Sequence, residues 1–303
     1  MTDLLTQPMS SLFERWLGFH LRIHPLFILL LFFSLLTGYV LEVITLFSIV
    51  FIHELGHIAA AKSYQWRIRE VQLTPFGGVA LMDDDGAIPA HEEVIVSISG
   101  PFMNLVMVAL AYMLYQFRLW SSDWTDYFVQ ANLILCLFNL LPILPLDGGR
   151  VLRACLSFVL PYYQTLQRTS SMSIWVSAFI VGICIAGFAF GKSAINYMIM
   201  AIFLVYSNWH EKKMTPFRFI RFLLFREQRV KQWLQIGKLA KPILTHPHAP
   251  IYQVVQHFMR EKPHVIIIMN HQGNVVGLME EKRIVDCYLE RARNQTISDL
   301  FLT

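Results

Sequence analysis

Residues 51–60 read FIHELGHIAA and set His53, Glu54 and His57 in an H-E-x-x-H pattern. On a helix, residues four apart share a face, so both imidazoles can ligate one metal ion. Glu54 then projects beside the water that such an ion activates, and can act as its general base. The pattern is short, but it closes an apolar run long enough to enter a bilayer. Two histidines and a glutamate are expensive there, and their cost points to function. The structural alternative is a pair of neutral histidines and a partnered glutamate satisfying one another within a helix bundle.

Catalytic zinc usually takes three protein ligands and a water. The stretch NLLPILPLDGGR, residues 139–150, offers Asp147 as the third. It follows two helix-breaking prolines, Pro142 and Pro145, and precedes Gly148 and Gly149. Broken backbone at membrane depth is tolerated where it lines a cavity. The alternative for Asp147 is a turn residue that ends a helix. Asn139, two turns earlier, could orient a ligand, donate to an oxyanion or link helices. In SISGPFMN, residues 97–104, Gly100-Pro101 should kink a helix, and Asn104 either faces the reaction centre or packs. The stretch IREVQLTPFGGVALMDDDG, residues 68–86, alternates apolar and polar residues around Phe76, Gly77 and Gly78. It reads as an extended hairpin whose edge could pair with a peptide strand. A peptide bond inside a helix is shielded, so a protease must hold its substrate extended. Asn104, Asn139, Gly77 and Gly78 are therefore candidates for substrate binding or oxyanion support. Asp83, Asp84 and Asp85 read as a solvated turn.

The elements that must position these residues are apolar helices. The chain has 303 residues, 55% of them hydrophobic and 15% charged, with a mean hydropathy of +0.47. Such a composition excludes a disordered chain, a disulfide scaffold and an ordinary cytosolic enzyme. A bilayer core of about 30 Å needs about 20 apolar residues. Six segments are candidate spans: 25–38, 39–61, 94–117, 127–146, 172–190 and 193–209. Arg15, Arg22, Lys62, Arg67, Arg69, Arg150, Arg153 and Arg168 fall on one side of them, and Arg118 and Lys192 on the other. That bias places both termini in the cytoplasm. His53, His57 and Asp147 then lie toward the cytoplasmic end of spans two and four. No signal peptide precedes the first apolar run. Cys136, Cys155, Cys184 and Cys287 are far apart and read as reduced packing residues.

Residues 1–209 form the transmembrane domain, with 10 Lys/Arg and 13 Asp/Glu, whereas residues 210–303 hold 15 and 8. A basic tail on a membrane body favours anionic headgroups over nucleic acid. Residues 210–239 mix arginine with Phe, Leu and Trp, and read as a basic amphipathic linker lying in the headgroup region, arginine up. Residues 240–303 read as a small α/β unit. A helix at 249–261 leads to a strand, HVIIIMN, and the turn HQGN. A second strand, VVGLM, and a helix at 280–292 follow.

HELGH, SGPFMN and NLLPILPLDGGR together resemble the three signatures of the site-2 protease family of intramembrane zinc metalloproteases. The resemblance covers about residues 20–209. It implies zinc held by His53, His57 and Asp147, with Glu54 as catalytic base. Residues 240–303 resemble a single CBS domain, and six spans followed by one such unit are similar to the sporulation branch of that family. That branch implies a substrate resembling pro-sigma-K, inhibitory membrane partners, ATP as a ligand of the CBS-like unit, and residence in the mother-cell membrane around the forespore. Nucleotide-binding CBS units commonly carry Thr and Asp after the second strand, where this chain reads Glu280, Glu281, Lys282 and Arg283. The expected fold is thus an α-helical polytopic membrane protein of about six spans, a short β-hairpin or edge strand near the site, and a C-terminal CBS-like domain. The competing readings are a site-2 protease with another membrane substrate, a CBS-regulated metal transporter, and an inactive relative that binds membrane proteins. The transporter needs polar ligands across both leaflets, and the inactive relative has no use for Glu54. The sequence leaves oligomeric state open, a homo-oligomer included.

Overall fold

The computed structural model describes residues 20–23, 34–66, 68–74, 77–82, 88–189, 195–290 and 295–301. Most of the first expected span, the turn at 190–193, Phe76 and the acidic run 83–85 lie outside them. The chain divides into two compact units, residues 1–83 with 95–141, and residues 84–94 with 142–303.

In the first unit, β1 (His20–Ile23) pairs in parallel with β2 (Ile68–Thr74), which pairs antiparallel with β3 (Gly77–Met82). The sheet order is β1-β2-β3, so the expected hairpin forms and β3 is an outer strand. Gly77 and Gly78 open β3 opposite Thr74 and Leu73. The helix α1 (Val40–Ser63) carries the H-E-x-x-H residues and packs against β2 and β3. It ends where Gln65 takes a left-handed conformation, φ 61°, which turns the amide of Trp66 back onto the Ala61 carbonyl at 3.0 Å. The helix α2 (Ala90–Gln116) runs unbroken through Pro101; its first turn belongs to the second unit and the remainder to the first. The helix α3 (Ser122–Asn139) starts at Ser121, whose hydroxyl accepts from the Trp124 amide.

The expected span 127–146 is shorter at its C-terminal end than the apolar run suggests. After Asn139 the backbone turns through Pro142 and Pro145, and α4 (Asp147–Val159) begins at Asp147 itself. A Cβ on Gly149 would lie 2.4 Å from the Ile143 carbonyl carbon, so the second glycine lets α4 close onto this turn. Two long helices, α5 (Tyr162–Ala189) and α6 (Ile195–Leu224), pack along one another. Thr165, Thr169, Ser173 and Ser177, four residues apart on α5, are all buried. Thr169 and Ser177 return their hydroxyls to carbonyls four residues earlier. Ser177 also accepts from Asn208 of α6 at 3.0 Å. Small polar residues are what a close helix pair in lipid uses. Three described helices, α1, α2 and α5, are long and apolar enough to cross a membrane. Their outer faces leave Phe102, Leu110, Trp175 and Phe179 exposed, a pattern that lipid covers and water does not.

Residues 210–239, expected as an amphipathic linker, are largely helical. Half of them continue α6, and α7 (Arg226–Gln235) follows. Their apolar face does not turn outward as a whole. Phe219, Phe222 and Leu223 join the core of the C-terminal sheet. That sheet has the order β4-β5-β6, from β4 (Lys241–Thr245), β5 (His264–Met269) and β6 (Val275–Glu280). β5 is central, and its Ile266 and Ile268 are buried against α8 (Ile251–Gln256) and α9 (Glu281–Leu289). The strand β4 is absent from the sequence reading because Pro242 and its mostly exposed side chains give no strand period. The expected helix 249–261 stops at Gln256, since Phe258 turns into the core instead.

Arg226 is buried rather than raised into a headgroup layer. It donates from Nε and Nη2 to the Glu281 carboxylate, each at 2.9 Å, and from Nη1 to the Met259 carbonyl at 2.8 Å. His264 donates from Nδ1 to Glu281 at 2.5 Å, and its Nε2 accepts the Met259 amide at 3.2 Å. That pair of bonds defines a neutral imidazole. A second charge cluster holds the start of α2. Glu93 is bound by Arg153 of α4 and by Arg260. The Ala90 amide donates to Glu261 at 2.8 Å.

Burial pushes the His264 pKa below its ordinary 6.5, against the pull of Glu281. The unfolded chain therefore takes up this proton first as pH falls. The stability contributed by neutral His264 is complete above about pH 6.5 and is lost as pH drops through the folded value. Hydrogen exchange of the β5 amides, corrected for intrinsic rates, should show easier opening at pH 5.5 than at 7.5, with the difference diminished in His264→Gln. Equal opening free energies at the two pH values would contradict this.

Candidate metal centre

The first unit brings His53 and His57 together on the buried face of α1. Their rings meet edge to face, centroids 4.8 Å apart and planes at 82°. Each Nδ1 faces an oxygen. His57 Nδ1 lies 2.7 Å from the Val96 carbonyl, and His53 Nδ1 lies 2.5 Å from Asn104 Oδ1. An oxygen of either kind accepts, so each imidazole carries its proton on Nδ1 and a lone pair on Nε2. The two Nε2 atoms stand 3.2 Å apart. Two lone pairs at that separation repel unless a cation faces both. Nitrogens bound about 2.0–2.1 Å from a tetrahedral zinc are about 3.3 Å apart, which is the separation found here. An Nδ1–H held by a carbonyl is also how metal-ligating histidines are ordinarily oriented. The donor set fits zinc.

Gly100 gives this pair its room. A Cβ there would fall 2.2 Å from His57 Nε2 and 2.7 Å from His53 Nε2. The glycine of the Gly100-Pro101 pair thus serves the site through an absent side chain, and α2 remains helical across Pro101. Gly56 does the same for the helix pair: a Cβ would lie 2.6 Å from Met103 and 2.7 Å from the Ser99 carbonyl.

Glu54 is half-buried on α1 beside His53. Asn104 is fully buried, and its amide is engaged at both ends, by His53 and by Asn132. Asn139 is half-buried at the last residue of α3. Gly77 and Gly78 lie in β3, the outer strand that packs on α1. Asp147 belongs to the second unit, where it is buried as the first residue of α4. A helix N-terminus favours the negative charge of that carboxylate. The sequence reading did not single out Asn132. Its signal was an amide in the apolar run of α3, seven residues before Asn139 and so two turns away on the same face.

An apolar helix presenting two preset imidazoles, with a glutamate beside them, defines a membrane-embedded metallohydrolase. The profile of peptidase family M50 matches residues 41–129 and 117–183. Stage IV sporulation protein FB of Bacillus subtilis (strain 168) is 31% identical over 95% of this chain and 99% of its own. A zinc metalloprotease of Methanocaldococcus jannaschii is 29% identical over 80% of this chain and 65% of its own. In structure, the chain is similar to the site-2 protease from Methanocaldococcus jannaschii, with a TM-score of 0.51 and 28% identity over 64% of this chain and 91% of that one. The chain belongs to peptidase family M50, the site-2 proteases, and is an intramembrane zinc metalloprotease.

Gly100→Ala tests the geometry directly. Alanine raises helix propensity by about 1 kcal/mol, yet its methyl group must displace an imidazole. Zinc per chain, measured by plasma mass spectrometry on folded protein, should fall well below the wild-type ratio. A full zinc complement would show that the imidazole pair does not hold the ion.

Proposed function

We propose that His53, His57 and Asp147 hold the zinc ion and that Glu54 is the general base. The pair of converging Nε2 atoms on α1 is the observation that carries this reading. Two imidazoles are one ligand short of a catalytic site, and a buried carboxylate at a helix start is a donor of the right type. When bound, zinc lowers the pKa of water toward about 7 and polarises the scissile carbonyl. Glu54 takes a proton from the attacking water on its carboxylate and delivers it to the departing amine nitrogen. Asn104 holds His53 in its ligating tautomer, which is a more specific role than oxyanion support. The outer strand β3, beginning at Gly77 and Gly78, offers the edge along which a substrate segment is drawn out of its helix.

The substrate we propose is a membrane-associated pro-protein cut near the cytoplasmic face, namely the pro-sequence of a sporulation sigma factor of the sigma-K type. The near full-length likeness to a sporulation protein supports this over other membrane substrates. The same reading includes a six-span body with both termini in the cytoplasm, residence in the membrane around a forespore, and membrane proteins as inhibitors. The C-terminal order β4-α8-β5-β6-α9 supports a CBS-like regulatory unit. Its residues after the second strand are already engaged, Glu281 by Arg226 and His264 and Lys282 by Glu227, which argues for docking of protein rather than ATP at that point.

Glu54→Gln should keep zinc and fold but reduce cleavage of a co-expressed pro-sigma-K by about 10²–10⁴-fold, the usual contribution of a general base. Asp147→Asn should lower zinc content as well. Gel analysis of the co-expressed substrate and metal analysis of the purified variants read the two effects separately. Continued cleavage by Glu54→Gln removes the base assignment, and unchanged zinc in Asp147→Asn removes that ligand.

A further inference from the structure

The tautomer of His53 is set from a distance. Its Nδ1 faces Asn104 Oδ1, but an amide can be turned over, exchanging oxygen for nitrogen. Presented with the NH2 end, His53 would have to accept on Nδ1. Its proton would then sit on Nε2, and the lone pair toward His57 and the metal would be lost. Something must hold the Asn104 amide one way round.

That constraint comes from α3. Asn104 Nδ2 donates to Asn132 Oδ1 at 3.2 Å, and Asn132 Nδ2 donates to the Phe128 carbonyl at 2.9 Å. A backbone carbonyl only accepts, so Asn132 must turn its NH2 toward Phe128. Its oxygen therefore faces Asn104, which must answer with its own NH2. The Asn104 oxygen is left for His53, and Nδ1 must carry the proton. Each link follows from the one before, and the chain begins at a group whose polarity is fixed. Both amides are 0% exposed, so no solvent molecule replaces a link without opening the helices. The residues of this chain all lie on α1, α2 and α3 within the first unit.

We propose that Asn132 is a positioning residue for the metal centre: through the amide of Asn104 it fixes the His53 proton on Nδ1 and so the ligating lone pair on Nε2. This rests on the reading of His53 as a zinc ligand and adds to it a residue that touches neither metal nor substrate. Outer partners of this kind typically govern metal affinity by 10–100-fold. An apolar residue at 132 leaves the Asn104 amide free to turn, and about tenfold is the expected loss at two bonds' remove.

The test is zinc affinity of the full-length chain in detergent, by competition with a chromophoric chelator. Asn132→Leu should bind zinc about tenfold more weakly. Asn132→Asp keeps an oxygen toward Asn104 and should recover most of the affinity. In an Asn104→Ala background, Asn132→Leu should have no further effect, because the link it acts through is gone. A loss of packing alone would lower affinity equally in both backgrounds, and that additive result would overturn the proposal. So would wild-type affinity in a folded Asn132→Leu, or an Asn132→Asp as weak as the leucine variant. If Asn132→Leu does not fold, the comparison of Asn132→Asp with Asn104→Ala still decides: near wild-type affinity in the first and loss in the second supports the chain, and equal loss refutes it. A wild-type chain that fails to bind zinc would instead overturn the metal-centre reading itself, a result distinguishable from all of these.

Discussion

Two nitrogen lone pairs directed at the same point in a membrane helix are the constraint on which the first unit is built. His53 Nε2 and His57 Nε2 approach to 3.2 Å with both protons held on the far side of the rings. Alone this is a repulsive arrangement, and a divalent cation facing both nitrogens would relieve it. The neighbouring helix is fitted to it. α2 provides a carbonyl at Val96 for one ring, an amide at Asn104 for the other, and at Gly100 the absence of a side chain beside both Nε2 atoms. Within the S-x-S-G-P-x-x-N stretch, Gly100 and Asn104 each answer one demand of the imidazoles.

The second unit solves a different electrostatic problem. Arg226, Arg229 and Arg260 are buried with Glu281, Glu261 and Glu93 as their partners. A buried ion pair contributes little net stability compared with apolar packing, but losing one partner is costly. Such pairs fix geometry more than they add strength. Here they tie the first turn of α2 and the helix α4, which starts at Asp147, to the loop at Arg260 and Glu261 that leads into β5. The C-terminal sheet is in this way part of the unit that supplies the proposed third ligand.

Much of this was legible in the residues. The helices of α1, α2 and α5, the hairpin around Gly77 and the strands β5 and β6 carry strong periodic or apolar signals, and local signals of that strength survive tertiary packing. The histidine pair was legible for the same reason, since i and i+4 spacing fixes a helix face. What escaped was non-local. Arg226 looked like one more basic residue on an amphipathic helix, because nothing in its neighbourhood shows that Glu281, 55 positions on, would neutralise it. Asn132 was indistinguishable from an incidental amide until its partner on another helix was known. The volume that Gly100 leaves to side chains 43 and 47 residues earlier is likewise invisible in its local sequence.

Zinc-edge X-ray absorption of the purified full-length chain addresses the central claim without relying on any substrate. The account requires two imidazole nitrogens at about 2.0–2.1 Å and a carboxylate oxygen at about 2.0–2.2 Å, with no sulfur in the shell. A shell with fewer than two imidazoles, or one containing thiolate sulfur, would place the ion elsewhere and contradict it.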